Sequence, residues 1–220
     1  DVTDLAYLRL IDYLNYKNTF HMKKWLIPVI ILVVLAFVTY NWAVGFNNTA
    51  VEYEANAKTA WSNVESAYQR RNDLIGNLVK TVQGAADFER TTLTEVIEAR
   101  AKATSTTIDV ENLTPESMAA FQLSQTGISS ALSRLLVTIE RYPDLKANQN
   151  FLDLQSQLEG TENRINVERN RFNEAVNIYD IHTTKFPNKI LAGWFGFEEM
   201  ARYQAEAGSE QAPDVDFEFN

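Results

Sequence analysis

Apolar and polar positions divide the chain into one unbroken greasy run followed by a long periodic region. Residues 25–46 read WLIPVIILVVLAFVTYNWAVGF without a single charge. Wound as a helix, they extend about 33 Å, which matches a bilayer hydrocarbon core about 30 Å thick. Pro28 falls in the first turn, where a missing backbone donor costs little. Beyond the run, apolar residues recur at steps of three and four. Trp61, Val64, Tyr68, Arg71, Ile75, Leu78 and Val82 share one helix face, widened by Leu74 and Val79. A second helix is predicted over residues 87–104, burying Phe88, Val96 and Ala99.

Residues 105–113 break the pattern, and Thr114-Pro115-Glu116 opens a third helix with an N-cap, a first-position proline and an acid in the first turn. Its apolar set is Met118, Phe121, Ile128, Leu132, Leu135 and Ile139, and Pro143 stops it. A fourth helix carries the near-heptad series Phe151, Leu154, Leu158, Thr161, Ile165, Arg169, Phe172, Val176 and Tyr179. Short connections favour antiparallel neighbours, and this period favours shallow crossing angles. The expected fold is all-α: one N-terminal transmembrane helix continuing into an antiparallel four-helix bundle of long helices. Arg71 and Arg169 interrupt the apolar faces. Each either extends its head past an apolar stem to water or pairs with Glu140, Glu162 or Glu168 to set register.

Gly and Pro number only 8 and 5, as a helical protein requires, and there is no Cys. Disulfides and thiolate metal sites are thereby excluded. The net charge is −9, which argues against nucleic acid as a partner because phosphate binding needs a basic face. Residues 198–220 hold seven acids against one Arg, so this tail supplies −6 of that total.

Met22-Lys23-Lys24 directly precedes the apolar run, as in a bacterial membrane-targeting start. Residues 1–21 begin with Asp and are expected to be upstream sequence; the alternative is a short amphipathic helix carrying Leu5, Leu8, Ile11 and Leu14. Lys23 and Lys24 set the orientation, because no Lys or Arg follows the run until Lys58. Positive charge stays in the cytoplasm, which puts the following domain on the periplasmic or extracellular side. Ala43 and Gly45 offer a signal-cleavage alternative, but the run exceeds an ordinary signal core, favouring a retained anchor. The span is represented by Trp25, Ile30, Val34, Phe37, Trp42 and Phe46, with membrane lipid as its partner.

The expected order is a leader of doubtful origin over residues 1–21, the anchor over 22–48, the helical bundle over 49–186, an aromatic segment over 187–200 and an acidic tail over 201–220. An up-down-up-down path returns the fourth helix towards the membrane. Phe186, Trp194, Phe195 and Phe197 then either rest in the headgroup region, serve as oligomer contacts, or plug the bundle base. At the opposite end, the Tyr142, Pro143, Asp144 and Lys146 corner is a helix break in the ordinary reading and a partner-docking tip in the functional one.

Catalysis needs a positioned acid, base, nucleophile or metal. The chain has two histidines, His21 and His182, and neither stands in a Glu-x-x-His pair. No His-Glu-x-x-His, Gly-x-Ser-x-Gly or phosphate-binding glycine loop occurs. Glu198-Glu199 read as solvated acids rather than a cation site. No catalytic residue, metal or cofactor is expected.

Several runs carry a specific resemblance when taken together: AWSNVESAYQRRNDLIGNLVKTVQG (60–84), EARAKA (98–103), RYPDLKANQNFLDLQSQLEGTENRI (141–165), RFNEAVNIYD (171–180) and FPNKILAGWFGF (186–197). In this order they closely resemble the LemA family of bacterial proteins. Gly76 and Ala85 stand where many relatives are expected to have Pro and Tyr. The resemblance implies an N-terminally anchored antiparallel helical bundle and carries no catalytic residues. Some family members are placed with the bundle in the cytoplasm, whereas the lysines here argue for the outside. The functional expectation is a membrane-tethered scaffold of the bacterial envelope, working as a homo-oligomer or by holding an envelope protein. The alternatives are a sensory or accessory subunit and, more remotely, a metal-dependent enzyme.

Overall fold

The computed structural model describes residue 9 and residues 25–84, 88–110 and 113–204. The leader apart from Arg9, Lys23 and Lys24, and the acidic tail from residue 205 lie outside the described residues. Those described form six helices and no strand: α1 Leu26–Gln83, α2 Arg90–Ser105, α3 Pro115–Ile139, α4 Pro143–Lys146, α5 Gln149–Thr184 and α6 Asn188–Phe195. The chain divides into two units, Asp1–Thr49 and Ala50–Asn220.

In the first unit, α1 keeps its apolar side chains turned outward. Leu32, Val33, Phe37 and Tyr40 are each more than 60% exposed, and no residue from 25 to 45 is buried. Such a surface suits lipid rather than water. Its few polar groups are satisfied by their own helix: the Thr39 hydroxyl donates to Leu35 O at 2.8 Å and the Asn41 amide to Phe37 O at 2.7 Å. Within hydrocarbon, that self-sufficiency is required. Phe46, expected within the span, is buried instead at 3% exposure, so the outward apolar surface ends at Val44.

In the second unit, α1 buries Trp61, Val64, Tyr68, Arg71, Ile75, Leu78 and Val82, the stripe anticipated from the spacing, and extends it back through Ala57 and Ala50. Two apolar clusters lie one above the other along it. The first joins Ala57 to Tyr68 with Met118, Phe121, Ile165, Phe172 and Val176 and is rich in rings. The second joins Leu74 to Val82 with Val96, Ile128, Leu135, Ile139, Phe151 and Leu158 and is aliphatic. Matching these numbers gives direction: α1 and α3 ascend together, while α5 descends beside them. Arg141 pairs with Glu89, and Arg134 with Glu95, so α2 descends against α3.

Local chemistry sets the helix ends. Thr114 and Ser117 form a reciprocal capping box, each side-chain oxygen accepting from the other's backbone N–H at 3.1 Å, with Pro115 at the first position. The Asn148 side chain accepts from the N–H groups of Asn150 and Phe151 and starts α5. α3 ends at Ile139, before Pro143, and Pro143 then opens the one-turn helix α4 rather than merely closing its predecessor. Gly196 adopts φ 79°, the left-handed conformation that ends α6.

Gly76 has a specific neighbour. The Arg100 Nε donates to Asn72 O at 2.8 Å, and the Arg100 guanidinium lies 3.2 Å from where a Cβ at residue 76 would stand. Asn72 O is the carbonyl that the residue 76 N–H meets within a helix. A proline at 76 would remove that N–H yet leave the carbonyl with the Arg100 donor.

Candidate functional site

Between the two apolar clusters α1 places a charge. Arg71 is 4% exposed. Its Nη2 donates to Gln125 Oε1 at 2.6 Å, and its Nη1 to Glu162 Oε2 at 3.1 Å and Ser129 Oγ at 3.3 Å. The guanidinium carbon also lies 4.8 Å from the centre of the Tyr68 ring. One side chain from α1 therefore ties α3 to α5. Its Nε is buried without a hydrogen-bond partner, an arrangement that costs desolvation energy.

Cavities flank this arginine along the gap between α3 and α5. The one of about 300 Å³ is walled by Ile75, Ile128, Leu132, Leu136 and Leu158, with Arg71 and Glu162 at its edge. The one of about 500 Å³ is more polar and carries Gln122, Gln125, Thr126, Arg169 and Gln204. Arg71, Ser129 and Glu162 line both, which makes them two ends of one groove. The pattern of a mostly apolar wall with a few convergent polar groups is that of a binding cleft.

An extended strap, residues 197–204, closes the polar end. Tyr179 Oη donates to Glu198 O at 2.9 Å, and Asp180 accepts from Met200 N and from Arg202, at 2.6 Å from its Nη2. Ala201 N donates to Leu113 O, and Tyr203 and Asn173 exchange two hydrogen bonds. The Tyr203 ring stacks 6.1 Å from that of Trp61, and its hydroxyl lies 3.2 Å from the Tyr68 hydroxyl. Burial first, then proximity to Tyr68, pushes the Tyr203 phenol well above its ordinary range. Arg169, on the face of α5, lies 4.4 Å over the same ring.

α6 follows α5 at the end of the unit where α1 carries Tyr53, whose ring meets that of His182 edge-on at 5.3 Å. Leu191 and Ala192 are buried, whereas Trp194 and Phe186 are each 79% exposed. At the other end Tyr142 packs on Phe88 at 4.9 Å, Leu145 is buried, and Lys146 pairs with Glu140.

A sequence model of the LemA family matches residues 60–217, well over half of the chain. The chain belongs to the LemA family. Among curated proteins it resembles magnetosome protein MamQ 2 of Paramagnetospirillum magneticum, 26% identical over 184 residues, covering 74% of this chain and 66% of that protein. It also resembles magnetosome protein MamQ of Magnetospirillum gryphiswaldense, 24% identical over 206 residues (84% and 74%), and protein LemA of Metamycoplasma hominis, 24% identical over 166 residues (76% and 69%). The chain thus spans just under two thirds of the first of these relatives.

With one helix among the described residues long and apolar enough to cross a bilayer, this LemA-family chain is a membrane-associated helical protein. The structure brings Arg71 and Glu162 together, one of the pairings open from the sequence, while Glu168 pairs with Arg171 and Glu140 with Lys146. Arg169 takes the face of Tyr203 instead of a carboxylate. Of the aromatic segment, Phe197 packs near Tyr179 at 6.5 Å, whereas Phe186 and Trp194 plug nothing. Among the described residues no group of three or more His, Asp or Glu is placed to hold a metal.

Sequence reasoning missed two features. The groove partner Gln125 sits where the apolar series skips from Phe121 to Ile128, at the level of Arg71, and Ser129 follows directly after Ile128; that gap was the available signal. The strap spans the expected close of the aromatic segment and start of the acidic tail, yet Ala201 and Tyr203 are buried and Arg202 is not. That alternation is the period of an extended chain.

Proposed function

We propose that this protein is a non-enzymatic, membrane-anchored scaffold that holds a peptide segment of another envelope protein in the groove between α3 and α5. The groove itself carries the reading. It offers an aliphatic wall for apolar side chains, and Gln122, Thr126 and Arg169 for a peptide backbone or polar side chain, around the buried Arg71 guanidinium. Anchoring confines scaffold and partner to one surface, which raises their effective concentration and lets a modest groove suffice. The two lysines ahead of the span support a periplasmic or extracellular side for the helical unit. Protease added to spheroplasts tests that sidedness and cleaves the unit only if it faces outward.

The main test compares companions. Cells expressing the protein are cross-linked, and it is purified in mild detergent alongside a Leu132→Arg variant that fills the apolar end of the groove. Loss of a companion from the variant, with helicity unchanged, is the expected result; an identical companion set removes the groove from the account. Self-association is the second reading, favoured by Leu123, 69% exposed on α3. The same purification yields its stoichiometry, and only monomers at every concentration would dismiss it.

A further inference from the structure

A short surface helix ordinarily turns one face to the protein and a polar face to water. α6 does not. Leu191 and Ala192 are buried, while its outward side carries Ile190 (48% exposed), Gly193 and Trp194, with Phe186 just ahead of it. Ile190 and Trp194 are four residues apart and therefore lie one above the other. Lys185 and Lys189, both exposed, add positive charge beside this apolar strip; Glu198 and Glu199 follow only after the chain has turned at Gly196. Aromatic and aliphatic side chains flanked by lysines are what the headgroup boundary of a bilayer accepts.

Position along the chain supplies the second argument. Tyr53 of α1 contacts His182, six residues before α6 begins, so α6 lies at the end of the unit where α1 enters. Val44, the last outward apolar residue of the run, is only six positions from Ala50, which opens the unit. Six residues of chain reach about 20 Å even when fully extended. With residues 25–44 in a bilayer, chain length alone keeps Ala50, where the unit opens, within that reach of its surface.

We propose that the outward face of α6, with Phe186, lies in the headgroup layer of the membrane that residues 25–44 cross, giving the protein a second lipid contact besides its span. Trp194 and Ile190 enter the boundary between headgroups and acyl chains, and Lys185 and Lys189 meet lipid phosphate. The proposal rests on residues 25–44 being a membrane span, and the experiment keeps the two claims apart.

Because the chain has no Cys, single substitutions allow unambiguous spin labelling of the full-length protein. Trp194→Cys and Ile190→Cys report on α6, Val34→Cys on the span, and Val137→Cys on an exposed position of α3. Each labelled protein is reconstituted into vesicles of phosphatidylcholine and phosphatidylglycerol, and circular dichroism checks its fold. Collision with oxygen is then compared with collision with a water-soluble nickel chelate. Labels at 194 and 190 should favour oxygen over the chelate by about threefold or more relative to 137, as at a lipid boundary. Chelate access at 194 equal to that at 137, with 34 reporting lipid, overturns the proposal and leaves the span intact. Aqueous access at 34 overturns both. Shielding at 194 that disappears when the protein is diluted in excess lipid shows a contact between copies and also overturns it.

Discussion

Replacing Arg71 with Met keeps an unbranched stem and removes the guanidinium, so the cost can be assembled from the partners left behind. Gln125, 4% exposed, loses the donor to its Oε1. An orphaned buried acceptor costs about 1–3 kcal/mol. Ser129 retains its own bond to Gln125 O at 3.2 Å and loses little. The Glu162 side chain is 47% exposed and rehydrates; pairs of that kind contribute at most about 1 kcal/mol. Against these losses, a charge with an unpartnered Nε no longer has to be buried, which offsets part of the sum. Arg71→Met should therefore destabilise by about 1–3 kcal/mol, with Gln125 the largest contributor. Adding Gln125→Leu removes the orphan and should return stability to within about 1 kcal/mol of the parent. The assay is urea unfolding in mild detergent, followed by far-ultraviolet circular dichroism. A loss of about 4 kcal/mol or more for the single variant would mean that Glu162 does not rehydrate and is left uncompensated. Absence of rescue in the double variant would refute the orphaned-glutamine reasoning directly.

Tyr203→Ala should cost about 3–5 kcal/mol by emptying a site packed on Trp61 and Phe172, whereas Tyr203→Phe should cost about 1 kcal/mol for its one hydroxyl bond; thermal melts of both check this. Alkaline pH should destabilise the fold: burial first, then the Glu54 and Asp180 carboxylates, push the Tyr179 phenol up to about 12, and burial raises Tyr68 as well. Unfolded tyrosines lose their protons near pH 10, so stability is intact below pH 10 and falls as pH rises through 10 towards 12, by less in Tyr179→Phe, as urea midpoints at pH 9 and 11 will show. Thr114→Ala and Asn148→Ala should each cost about 1 kcal/mol through loss of a helix cap, read as a lowered urea midpoint with helicity retained.

The parts of the fold legible in the sequence are those that depend on local periodicity. The α1 stripe from Trp61 to Val82 and the α5 series through Phe172 repeat at helical steps, and a core face needs nothing more to reveal itself. Thr114-Pro115 announced its helix because capping is decided within a few residues. The groove was not legible, because periodicity tells which side chains turn inward but not how far apart two inward faces stand. Arg71 stood out as a charge on an apolar stripe, yet the choice of Glu162 over Glu140 or Glu168 depends on the vertical register of α5 against α1. The strap was hidden for a different reason. Its acidic surroundings dominate any average, and a buried Tyr203 in an extended segment has no helical repeat to betray it.

Everything functional here depends on residues 25–44 lying in a bilayer, and extraction of membranes with alkaline carbonate asks that directly. The full-length chain, with this run uncut, should remain in the pellet with integral proteins, and a Leu32→Lys, Leu35→Lys variant should shift to the supernatant. Recovery of the intact parent chain in the supernatant would contradict the account.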